Sequence, residues 1–96
     1  MTRVRLDLNS PIFQADFVNL GADELKQAAK TLRKLLALTW EQVYADSGLK
    51  WEEIKSDRGT YTIRISRSCR AIVMRDVDLM RFLAIHADHD GAYGKK

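Results

Sequence analysis

Arg64, Arg70 and Arg81 sit one on each of three successive β-type runs near the end of the chain, and His86, His89 and Tyr93 lie at the end of the last run and just beyond it. A guanidinium is planar, keeps its charge and can hold two phosphate oxygens at once. Imidazole gains or loses a proton near neutrality. Three always-charged guanidiniums held close together are costly unless something anionic visits, so the face they share reads as a phosphate-binding one. Arg70 first and Arg64 second are expected on phosphate, with Arg81 as a weaker third. His86 or His89 can act as base or acid. His89, past the strand end, is the preferred one, because His86 follows the inward set Phe82 and Ala84 and reads as a hydrogen-bonded structural histidine. Tyr93 can stack on a base or orient a phosphate, or simply dock the tail. Lys50 and Lys55, on the connector before the sheet, are further candidate substrate contacts.

Each of these residues also has a plainer role open to it. A strand arginine can be a solvated residue or the ion-pair partner of another protein. His-x-x-His with Asp88 and Asp90 invites a metal, yet at a strand end histidines three apart need not converge, so neither metal nor cofactor is expected. The single cysteine, Cys69, excludes an internal disulfide and a thiolate metal motif, and on the apolar side of its strand it should be inert. Trp40 and Trp51 are assigned to the core or an interface ahead of base stacking.

The elements that must position these residues are three short-linked strands. Tyr61, Ile63 and Ile65 alternate with Thr62 and Arg64; Cys69, Ala71 and Val73 alternate with Arg70, Ile72 and Met74. A three-residue loop over 66–68 would pair Ile65 with Cys69 and Arg64 with Arg70, setting the arginines together on one face. A two-residue turn in Arg75-Asp76-Val77-Asp78 would bring Arg81 to the same side. In that register Ile72, Leu83 and Ile85 also fall on the arginine face, and a partner should cover them.

Upstream, Arg3 to Leu8 reads as a charged edge strand. Asn9 or Ser10 before Pro11 starts a helix that Gly21 ends, and a second helix follows from about Asp23 to Leu36. Thr39-x-x-Gln42 is a capping box for a short third helix, and Leu49 to Lys55 is read as a strand. The expected fold is α+β: an antiparallel sheet of three to four strands with an N-terminal strand, a helical hairpin on one face and the arginine face open.

Ninety-six residues, 46% hydrophobic with one proline and five glycines, suit one folded domain, residues 1–96. No apolar run is long enough for a membrane span and no secretory h-region opens the chain, so a cytosolic, membrane-free protein is expected. Charge is uneven: residues 1–57 hold 8 Lys/Arg against 9 Asp/Glu, and residues 58–96 hold 8 against 4. The sheet is the basic half, which favours nucleic acid as a partner.

A strand, a helical hairpin, Tyr61-x-Ile63-Arg64-Ile65, the run Cys69-Arg70-Ala71-Ile72-Val73, a short Asp76-x-Asp78 turn, an apolar strand and a terminal His86-x-x-His89-Asp90-x-Ala92-Tyr93 together resemble the RelE/ParE superfamily of toxin-antitoxin toxins. The likeness is nearest the RelE-like branch of ribosome-dependent endoribonucleases that cut messenger RNA and are silenced by a cognate antitoxin. It implies that Arg70 contacts the scissile phosphate, that Arg64 is the basic residue of the first meander strand and that the tail supplies a histidine or tyrosine. Some members carry a lysine pair on that strand, where Thr62 precedes Arg64 here; others use a glutamate base before the meander, which Glu52 or Glu53 matches approximately. The expected partners are a cognate antitoxin, whose disordered segment would cover the apolar residues of the arginine face, and mRNA on the ribosome, in a homodimer or a toxin-antitoxin hetero-oligomer. Two other readings stand beside the nuclease: a non-catalytic ParE-like inhibitor of DNA gyrase, and an inactive member that only binds RNA or antitoxin.

Overall fold

The computed structural model describes residues 2–87, so His89 and Tyr93 lie outside the described residues. The elements in chain order are β1 (Arg5–Asp7), α1 (Pro11–Val18), α2 (Ala22–Leu36), α3 (Trp40–Ala45), β2 (Glu52–Glu53), β3 (Tyr61–Ser66), β4 (Cys69–Asp76) and β5 (Leu79–Ala87). The sheet has five strands in the order β1-β5-β4-β3-β2. The expected antiparallel meander is present and both strands expected upstream of it join the sheet, the one expected over 49–55 shortened to the two residues of β2. β1 joins the edge in parallel to β5, with Leu6 beside Met80, and the two-residue β2 extends the other edge.

Helix starts follow local chemistry. The Ser10 hydroxyl accepts the Phe13 N–H, with Pro11 at the first helical position. Asp23 and Glu24 open α2, and Arg33 and Lys34 close it, each sign matched to the helix dipole. Thr39 and Gln42 make the reciprocal capping box of α3.

α1 packs on β5 and α2 on β3. They bury Phe13, Ala28 and Leu35 against Ile63, Ile65, Ala71, Val73, Met80 and Phe82. The Phe13 and Phe82 rings sit 5.2 Å apart. α3 brings Trp40 and Val43 into the same core, and the Trp40 indole donates to the Asp78 carbonyl. Arg75 lies over the Trp40 ring at 4.3 Å, so its charge is held by an aromatic face at one end of the sheet.

Two irregularities decide which side chains share a face. Arg64 pairs with Arg70 as expected, but Cys69 pairs with Ser66 and not with Ile65. The loop is the two residues Arg67 and Ser68, and a bulge at Ile65 restores the parity that so short a loop would otherwise break. On β5 a second register shift falls at Leu83: Val73 opposes Phe82 and Ile72 opposes Ala84. Phe82 therefore faces the helices, while Ala84 and His86 face away from them. Ile85 pairs with Ala71, packs against the core and donates its N–H to Asp16 of α1, so it leaves the arginine face to which simple alternation assigns it.

Candidate active site

Arg64, Arg70 and His86 are directly paired residues on β3, β4 and β5 and form one row across the sheet on the side away from the helical layer. Paired residues on neighbouring strands have Cβ atoms about 5 Å apart, so two guanidiniums and an imidazole can reach a common anion. The register shift at Leu83 carries His86 into this row. Simple alternation places it among the inward residues, and its exposure fits the corrected placement.

Arg70 is the anchored member. Its Nε and Nη2 donate to the Thr62 hydroxyl at 3.2 and 2.7 Å, and Nη2 also donates to the Lys50 carbonyl at 3.0 Å. The side chain is 16% exposed, and Glu52 Oε1 stands 3.6 Å from Nη2. Three of the five N–H groups of a guanidinium are used by these acceptors, and the two on Nη1 have no protein acceptor among the described residues. Thr62 reaches Arg70 because it lies on β3 one row along, paired with Ile72 and, on its other side, with Glu52. Lys50 turns its carbonyl toward Arg70 from a left-handed backbone conformation, φ 50°, which costs a non-glycine residue about 1 kcal/mol. Its side chain is exposed.

The other candidates lie apart from this row. Arg81 pairs with Met74, four residues along β4 from Arg70, or about 13 Å at strand spacing. Its guanidinium is taken up by Asp76 at 2.9 Å and Asp7 at 3.7 Å. Lys55 is exposed in the turn between Ile54 and Thr60. Among the described residues no group of three histidines, cysteines or carboxylates is disposed to hold a metal. Cys69 is buried.

Sequence patterning locates the Arg64 and Arg70 pair, because alternation alone sets both on one face. It overlooks Thr62, although that residue shares Arg64's parity and a β-branched hydroxyl beside an arginine is a ready acceptor. Glu52 emerges only as an approximate match, and its two-residue pairing with β3 is what brings it to Arg70.

A scan against protein-family models finds no match, and neither does a search of curated proteins. Solved structures do match. YafQ from Escherichia coli aligns over 92% of this chain and 97% of its own, at 18% identity and TM-score 0.61. The RelE of a RelB-RelE antitoxin-toxin complex from Methanococcus jannaschii covers 96% of this chain and 98% of its own, at 16% identity and TM-score 0.59. The YoeB dimer of Staphylococcus aureus covers 86% and 94%, at 20% identity and TM-score 0.57. At these identities the likeness is one of fold: the chain folds as the RelE, YoeB and YafQ toxins do.

Proposed function

We propose that the chain is the toxin of a toxin-antitoxin pair and acts as an endoribonuclease on messenger RNA held by the ribosome. The observation that carries this reading is the row of Arg64, Arg70 and His86, with Arg70 fixed by Thr62 and Lys50 and with Glu52 beside it. A module that only binds has no use for a carboxylate and an imidazole on either side of a locked phosphate-binding arginine.

In this mechanism the 2′-oxygen attacks the adjacent phosphorus as the P–O5′ bond breaks, leaving a 2′,3′-cyclic phosphate and a 5′-hydroxyl. Glu52 takes the proton of the 2′-hydroxyl. Arg70, through the N–H groups of Nη1, and Arg64 neutralise the charge that builds on the non-bridging oxygens. An imidazole protonates the departing 5′-oxygen; His86 stands in the Arg70 row and His89 follows three residues on, so His86→Gln and His89→Gln separate the two. Tyr93 stacks on a flanking base, and Lys50 and Lys55 contact the RNA backbone on the β2 side. Arg81, with both its carboxylate partners at the far end of the sheet, is left out of the reaction.

The solved RelE and YoeB relatives include complexes with RelB and YefM. A cognate antitoxin would silence this chain by laying an acidic segment along the arginine face, where Ile72 and the half-exposed Met74 give it apolar footing. The chain should accordingly co-purify with a small acidic protein encoded beside it. Overexpression followed by primer extension on a transcript tests the activity. Codon-phased cuts are expected from the wild type, with at least a hundredfold loss for Arg70→Ala. Intact transcripts accompanied by lost DNA supercoiling would replace this reading with gyrase inhibition.

A further inference from the structure

A cavity of about 270 Å³ lies between α2 and the end of β3, away from the row of paired residues but sharing Arg64 with it. Lys30, Lys34 and Arg64 line it together with Gln27 and the hydroxyl-bearing Thr31 and Ser66, and its lining contains no carboxylate. The remaining polar groups of the wall are fixed. Thr31 donates to the Ile65 carbonyl at 2.8 Å, and the Gln27 carboxamide oxygen accepts the Arg67 N–H at 3.0 Å, which leaves the Gln27 amide hydrogens as donors. Lys34 is held 2.8 Å from Asp46, a carboxylate outside the lining, while its side chain stays 47% exposed. Lys30 forms no ion pair among the described residues and is exposed.

Three cations and an amide donor around a carboxylate-free hollow make a site for an anion. The volume is below the usual range for drug-sized ligands, so it suits one sugar-phosphate unit and not a folded partner. Arg64 lines the hollow and is also paired with Arg70, so an RNA strand whose scissile phosphate lies on Arg70 would pass round the β3 edge to set a neighbouring phosphate here. We propose that this groove is a second phosphodiester subsite for single-stranded RNA, gripping the strand next to the cleaved linkage. The proposal rests on the nuclease reading above and extends it by a subsite beside the reacting linkage, with Arg64 common to both.

The test is binding of a labelled, 2′-O-methylated RNA oligonucleotide, which cannot be cut, to the full chain by fluorescence anisotropy across a salt series starting at about 50 mM. Lys30→Gln lies on the exposed face of α2 and should melt with the wild type. Lys30→Gln is expected to weaken binding about fivefold and to reduce the slope of log affinity against log salt by about 0.7, the signature of one lost phosphate contact on a single strand. Cleavage of transcripts at saturating RNA should be unchanged. An unchanged affinity and slope in a well-folded Lys30→Gln, while Arg70→Ala binds more weakly, would overturn the subsite and leave the nuclease reading standing. Absence of binding by the wild type would also overturn it, whereas loss of transcript cleavage in the primer-extension experiment bears on the nuclease reading alone. Displacement of the RNA by a polyglutamate peptide of equal charge at equal concentration would assign the groove to an acidic protein segment instead.

Discussion

Thr62 sets Arg70 apart from an ordinary surface arginine. A free guanidinium samples many rotamers and must give up that freedom on binding phosphate, whereas Arg70 has already given it up to the Thr62 hydroxyl and the Lys50 carbonyl. Thr62→Val keeps the shape and strand preference of the side chain and removes the acceptor. It is expected to lower kcat by about 10- to 100-fold with KM little changed, and Thr62→Ser should recover most of the loss. Single-turnover cleavage kinetics alongside a thermal melt checks this, since a merely structural threonine would move the melting temperature and leave kcat alone. Reading Thr62 from sequence was within reach, because its parity is that of Arg64; what alternation does not convey is that Arg70 leans along β3 to meet it.

At the scale of elements, the arginine face depends on two departures from regular strands. The opposition of Arg64 and Arg70 follows from polarity alternation on either side of a turn. The bulges at Ile65 and Leu83 do not, because an extra residue in a strand changes parity without changing composition. Simple alternation sets His86 on the wrong face for that reason. The parallel pairing of β1 with β5 was likewise hidden, since the partners are more than seventy residues apart and nothing local marks them. The hairpin joining β3 to β4 is also clasped to α2: the Ser66 and Ser68 hydroxyls donate to the Glu24 carboxylate, and Gln27 and Thr31 bind the adjacent backbone. Those hydroxyls hold Glu24 below the ordinary carboxylate range. A folded-state value lower than the unfolded one adds stability above the unfolded value and loses it as pH falls through the folded one. Acid melts should therefore show a loss of stability setting in below about pH 4.3, and that loss should be smaller in Glu24→Gln. At neutral pH Glu24→Ala should cost about 1 kcal/mol and speed hydrogen exchange at Arg67 and Ser68.

Across the whole molecule, one core serves two tasks. The helical layer buries the apolar side of the sheet and so leaves the other side to polar chemistry, while the charge is divided so that residues 58–96 hold 8 Lys/Arg against 4 Asp/Glu. That division was legible at once; the sheet's own geometry was needed to show that Arg81 is spent on Asp7 and Asp76. The fold is one shared by RelE, YoeB and YafQ, and a fold alone does not fix an activity. The most direct measurement is the identity of the ends left on a messenger cut in a reconstituted translation system by the wild type and by Arg70→Ala. The account predicts 5′-hydroxyl and 2′,3′-cyclic phosphate ends that vanish with the Arg70 side chain; 5′-phosphate ends, or cuts that persist in Arg70→Ala, would contradict it.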